Sequence, residues 1–235
     1  PGYSNDEAGY EAFSEQQSRT SALIINEVMT GNDTLLSQGH GVYFDWIELE
    51  NTSNETLDLS GYSITDNLEK AEYCALPSGK LNPGERVVLL CTGDTPLTRC
   101  SYGQLALSLN AELEQLYLLD KSGTVVDYLT LMDIPYGASS GRMSGQNGLF
   151  YFASPTPGEK NSGGYRRISA QPAASVAPGI YEDTKSLTIS LFAEGDIYYT
   201  LNGKTPTARS NRYDSPITIT NTTVIRAVAV ADGKL

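Results

Sequence analysis

The stretch from Asp45 to Asp66 constrains this chain more than any other. In Asp45-Trp46-Ile47-Glu48-Leu49-Glu50-Asn51, Ile47 and Leu49 fall on one face of a period-two pattern, and Trp46, Glu48 and Glu50 fall on the other. That alternation is the mark of a half-buried strand. Asn51-Thr52-Ser53-Asn54-Glu55 then turns the chain, because Asn and Ser side chains bond their own backbone. Leu57 and Leu59 resume the alternation, and Ser60-Gly61 breaks it before Tyr62 and Ile64. The stretch reads as antiparallel β structure.

The same grammar continues in both directions. Ser21–Met29 predicts a first firm strand, after a polar, acidic leader over residues 1–20 in which Asp6–Gln17 has a thin amphipathic stripe. Ala71–Leu76 predicts a strand ending at Pro77-Ser78-Gly79. Arg86–Cys91 is a continuous apolar run, expected to be buried on both faces. Leu105–Leu109 alternates. Leu113–Asp120 and Thr124–Leu131 flank a hairpin turn at Lys121-Ser122-Gly123. Residues 132–163 are rich in Gly, Ser and Pro, with a short apolar patch at Leu149–Phe152, and read as loop. The domain boundary is placed at Asn161-Ser162-Gly163-Gly164. A second unit, 163–235, alternates at Ser186–Leu191, Asp196–Leu201, Ser215–Ile219 and Thr223–Val230, with a hairpin signal at Asn202-Gly203. The expected fold class is all-β: two β-sandwich domains in tandem, at 21–162 and 163–235. The chain begins at Pro1 without a methionine and ends at Leu235 after a strand-like run. Both ends read as boundaries within a longer protein.

Charge and side-chain chemistry narrow the function. A net charge of −12 repels phosphate backbones, so nucleic acid is not an expected partner. No window approaches the ~18 apolar residues of a membrane span, and no membrane insertion is expected. His40, alone in a Gly-flanked loop, is the single histidine, and nothing places Asp or Cys beside it for nucleophilic catalysis. Glu48 and Glu50 share one strand face, which suits solvated carboxylates better than an acid pair flanking a cleft. Asn32, Asp33, Asp45, Asp66, Asn67 and Asp120 offer oxygens, but their spacing is not that of a calcium loop and fits Asx turns. No metal site is expected. Gly137, Gly141, Gly145 and Gly148 read as turn glycines with no following helix to cradle phosphate, and no cofactor is expected. Asn32, Asn51, Asn54 and Asn221 fit the N-glycosylation pattern, which matters only in a eukaryotic secretory pathway.

Three candidate ligand platforms remain: Trp46, the single tryptophan, and Tyr198 and Tyr199, which point to opposite faces of one strand. One of the two tyrosines is expected in the core, and the other is able to stack on a sugar or to be a plain surface ring. Three cysteines leave at least one unpaired. Cys91 and Cys100 bracket a short loop and are the candidate disulfide in an oxidising compartment. Three reduced, partly buried thiols are the alternative.

From Ile25-Asn26-Glu27-Val28-Met29 onward the chain resembles a bacterial lamin-tail domain. The resemblance runs through Asp45–Asn51, Leu59–Asn67, Leu81-Asn82-Pro83-Gly84-Glu85, Leu118-Leu119-Asp120, Val126-Asp127 and Ser154-Pro155-Thr156-Pro157-Gly158. It implies an immunoglobulin-like sandwich and no catalytic residues. The second unit resembles the small domain at the C-terminus of chitobiases and hexosaminidases. Gly179-Ile180-Tyr181, Ile197–Thr207, Tyr213, Ser215-Pro216-Ile217 and Thr223–Ala227 carry that likeness. Where related sequences usually have Asp before the hairpin Gly, this one has Asn202. In large exported bacterial proteins the two modules often sit in tandem before a spore-coat CotH-type kinase-like domain, and the resemblance implies that context. The function expected is non-catalytic: a cell-surface or extracellular interaction or spacer module beside neighbouring domains of the same polypeptide, contacting a protein or polysaccharide. The rival is a carbohydrate-binding module.

Overall fold

Alternating segments separated by turn chemistry become strands in the computed structural model of the chain. It describes residues 4, 8, 9, 12, 21–39, 41–70, 73–94, 96–98, 100–110, 112–169, 171–182, 185–204, 206, 210–231 and 234. His40, the start of the expected strand at Ala71-Glu72, and nearly all of the leader with its amphipathic stripe lie outside these residues. The chain divides into two units, Pro1–Gly164 and Tyr165–Leu235.

The first unit runs β1 (Leu23–Met29), β2 (Asp45–Asn51), β3 (Leu57–Asp58), β4 (Ser63–Thr65), β5 (Cys74–Ala75), β6 (Lys80–Leu81), β7 (Arg86–Cys91), β8 (Gly103–Leu105), β9 (Leu113–Leu119), β10 (Val125–Met132), β11 (Ser139–Gly141) and β12 (Phe150–Phe152). One sheet has the order β12-β11-β1-β2-β7-β8 and the other β10-β9-β4-β5, with β3 and β6 as a separate ribbon. Pairing is antiparallel except between β7 and β8. The turn between β9 and β10 is built by Asp120, whose Oδ1 accepts from the N–H of Ser122 at 2.8 Å and of Thr124 at 3.0 Å. Gly123 takes φ 78° there, which a side chain would resist.

Leu23, Ile25, Ile47, Leu49 and Leu89 meet Ile64, Leu116, Leu118, Leu129 and Leu131 between the sheets, each essentially without exposure. Each such side chain contributes on the order of 1.5–3 kcal/mol.

The reverse face of the first sheet is buried too, and this corrects the half-buried reading of β2. Trp46 has 0% exposure and packs with Met29, Val88 and Leu90. Leu35, Leu36 and Phe44 from one loop and Leu97, Cys100 and Tyr102 from another lie over it. Three further expectations change. The strand over Leu105–Leu109 ends at Leu105. Residues 132–163, read as loop, contribute β11 and β12 to the first sheet. Gly141 is not a turn glycine: it lies in β11, where a Cβ would stand 2.3 Å from the Asn26 carbonyl oxygen.

The second unit contains β13 (Ala173–Ala174), β14 (Leu187–Ile189), β15 (Leu191–Phe192), β16 (Asp196–Thr200), β17 (Asn211–Arg212), β18 (Ile217–Ile219) and β19 (Arg226–Val230). The alternating run at 186–191 breaks at Ser190: β14 pairs with β18 and β15 with β13. The third group is β17-β16-β19. Ile189, Leu191, Ile197 and Ile217 form the core.

Candidate functional site

The densest polar chemistry among the described residues lies on the reverse face of the first sheet. Glu27 on β1 and Glu48 on β2 are directly opposite across the strand pair, and both have 0% exposure. Like charges facing each other on a sheet repel, so both groups need donors. Segment 154–161 supplies them. Pro155 and Pro157 have no N–H, which leaves the N–H groups of Thr156 and Gly158 on either side of Pro157. The Thr156 N–H reaches Glu27 Oε1 at 3.1 Å, and its hydroxyl donates to Oε2 at 3.2 Å. The Gly158 N–H donates to Glu48 Oε2 at 2.5 Å. Ser139 Oγ completes Glu27, and Asn26 Nδ2 completes Glu48 at 2.7 Å.

Electrostatics follow from this closure. Burial pushes both carboxyls up, and Glu48 reaches about 7, against the opposing pull of the Gly158 N–H and Asn26 amide. The charge on Glu27 raises Glu48 further, while Arg86 works the other way. Arg86 stands 3.7 Å from Glu48 and bonds Glu50, its cross-strand neighbour, at 2.6 Å. Thus Glu48 is not a solvated carboxylate, which corrects the expectation. The reason is the covering segment, distant in sequence. A carboxyl held near neutrality has the acidity of a general acid, but with Glu27 and Glu48 both sealed from solvent no substrate atom reaches either one.

A second buried cluster locks the bulge between Ile25 and Glu27 in β1. The Arg142 guanidinium grips Asp127 with two bonds, of 2.6 and 2.8 Å, and also donates to the Ile25 carbonyl at 2.6 Å. Asp127 accepts the Ile25 N–H at 2.7 Å. Asn161 donates to the carbonyls of Asn26 and Arg142, and its Oδ1 stands 3.0 Å from the Thr156 hydroxyl, whose one proton is shared between Asn161 and Glu27. The two clusters therefore share segment 154–161. Sequence reasoning missed Glu27, Asp127, Arg142 and Asn161 as a set. One usable signal was the Pro-Thr-Pro-Gly spacing, which presents isolated N–H groups to acceptors.

The remaining candidates are dispersed. Trp46 is sealed, so it offers no ring to a ligand, and its Nε1 has no hydrogen-bond partner among the described residues. Tyr199 packs into the second core edge-on to Tyr213, ring centroids 6.5 Å apart. Tyr198 lies on the opposite side of β16, paired in register with Arg212 and Val228, and is half-buried. All three cysteines are free thiols. The expected Cys91–Cys100 pair is not formed, and strand alternation explains why. Cys100 packs on the face shared by Val88 and Leu90 and donates to Gln38 Oε1 at 3.3 Å. Cys91 shares the other face with Leu89. Asn32, Asn67 and Asp120 cap their own turns. Among the described residues no group of three His, Cys, Asp or Glu side chains is placed to hold a metal. Asn51 is fully buried, bonding the Leu81 carbonyl at 2.8 Å.

Residues 16–133 match the family model of the Lamin Tail Domain, half of the chain. The chain belongs to the lamin tail domain family. The fold of the lamin-tail unit continues beyond the matched residues, through β11, β12 and the segment held by Glu27 and Glu48. Residues 176–235 match the chitobiase/beta-hexosaminidase C-terminal domain. Both are non-catalytic immunoglobulin-like modules, here in tandem. No curated protein matches the chain. Among the described residues no helix is long and apolar enough to cross a membrane.

The second unit holds a groove of about 880 Å³ floored by Val176, Leu187, Ile189 and Ile225. None of the described residues lining it is charged. Ile180, 92% exposed, stands on its rim.

Proposed function

We propose that the chain is a non-catalytic spacer and interaction module of a larger exported bacterial protein, working outside the cell or at its surface. The observation that carries this reading is the use made of the buried carboxylates. Glu27 and Glu48, the groups best suited to proton chemistry, are consumed in fixing segment 154–161 to the lamin-tail sheet. Rigidity at the point where the chain leaves that unit is what a spacer needs, and loops on a rigid scaffold are where contacts are made. The tandem with a module named for chitobiase and β-hexosaminidase supports a place outside the cell, beside further domains of the same polypeptide. The net charge of −12 supports partners other than nucleic acid. Screening the chain against hydrolase and phosphotransfer substrates tests the non-catalytic part: no turnover is expected, and turnover abolished by Glu48→Gln would overturn it.

Carbohydrate binding is the second reading. It rests on the uncharged groove of the second unit, where Tyr181, Gln171 and Asn221 stand beside an apolar floor, a combination suited to neutral sugars. Pull-down on neutral polysaccharides, lost on Tyr181→Ala, would support it. Absence of binding across the panel would remove it.

A further inference from the structure

We propose that Cys74 and Cys91 are a disulfide pair that clips the edge of one sheet of the lamin-tail unit to the other when the chain folds under oxidising conditions. Cys74 lies on β5, the edge of the second sheet, as the register partner of Ile64. Ile64 has 0% exposure and faces the inter-sheet core, so strand alternation turns Cys74 inward with it. Cys91 ends β7 in the first sheet, on the inward face with Leu89, and is 6% exposed.

Three observations bring the two together. The Ala106 N–H donates to the Cys74 sulfur, and Ala106 directly follows Leu105, the parallel register partner of Cys91. Pro77, just past β5, sits against β8: a Cβ on Gly103 would stand 2.9 Å from Pro77 Cγ. Charge on either thiol would be felt by the other, since Cys74 raises Cys91. Cys100 lies on the far side of the same sheet and has no route to either.

The chemistry needs a disulfide oxidant such as oxidised glutathione. The Cys74 thiolate, the more exposed of the two, attacks one sulfur of the oxidant, forming a mixed disulfide and releasing one thiol. The Cys91 thiolate then attacks the Cys74 sulfur, and the second glutathione leaves as thiol. The protein loses two hydrogens and two electrons, and the oxidant gains them. Because the folded structure seals Cys91, the pair closes during folding, before the second sheet docks fully.

Trypsin sites make the test direct: Lys80 and Arg86 separate Cys74 from Cys91, and Arg99 separates Cys91 from Cys100. The whole chain, reduced and unfolded, is refolded in mixed reduced and oxidised glutathione, blocked with a maleimide and digested without reduction. The expected map links the Cys74 and Cys91 peptides and leaves Cys100 carrying the maleimide. The Cys100→Ser variant keeps that link. A Cys91–Cys100 link, or three alkylated cysteines in soluble refolded chain, would overturn the proposal.

Discussion

The backbone N–H of Gly158 donates to Glu48 Oε2 at 2.5 Å, joining residues 110 apart in sequence. Its importance lies in what each partner lacks otherwise. Glu48 is sealed from water, and Gly158 sits at φ 86° in a segment that prolines prevent from entering a central strand. The covering segment is held by acceptors on the sheet, not by strand pairing.

The first prediction concerns pH. Glu48 is held at about 7 in the folded unit, against 4.5 for a free glutamate. A raised carboxyl means that the folded state binds the proton more tightly, so this group's contribution is fully present below the unfolded value. It is lost as pH rises through 7, at a cost of roughly 3 kcal/mol. Glu27 and Glu50 are raised in the same direction. Urea denaturation at pH 5 and pH 8 should show the wild type losing stability between them. Glu48→Gln should flatten that slope, because the neutral amide still accepts from Gly158 and Asn26 can turn its own amide to match.

The second concerns the bulge. Asp127→Asn removes the carboxylate charge that takes both hydrogen bonds of the buried Arg142 guanidinium. Breaking such a pair costs on the order of 3–5 kcal/mol, and denaturation midpoints should fall accordingly. A change below about 1 kcal/mol would mean that the cluster does not hold the bulge.

The third uses the single tryptophan. Trp46, fully buried in the lamin-tail unit, should emit at short wavelength and shift to the red only when that unit unfolds. Trp46→Ala should cost on the order of 3–5 kcal/mol from the cavity left behind. It should leave any polysaccharide binding of the folded protein unchanged, since the ring reaches no ligand.

Particular residues show how far the sequence could be read. The alternation of Ile47 and Leu49, the turn at Lys121-Ser122-Gly123 and the linked lamin-tail motifs are local signals, and they led to the all-β reading and the family. The burial of Trp46 and Glu48 is not local. It depends on Phe44, Leu97 and Thr156 arriving from three irregular segments with no periodicity. Arg142 sat among glycines and serines, where nothing in its neighbours foretold Asp127 as partner. The spacing of Cys91 and Cys100 did not convey that their side chains take opposite faces of the first sheet, because proximity in sequence says nothing about which face of a strand a side chain takes.

Amide hydrogen exchange at Thr156 and Gly158 reports on the clamp between the covering segment and the sheet. If Glu27 and Glu48 fix this segment, both amides exchange as slowly as those of Ile47 and Leu49, and Gly158 speeds up in Glu48→Ala while Thr156 changes less. Exchange of both at the rate of an open loop such as Ser144-Gly145, with β2 still protected, would contradict the account.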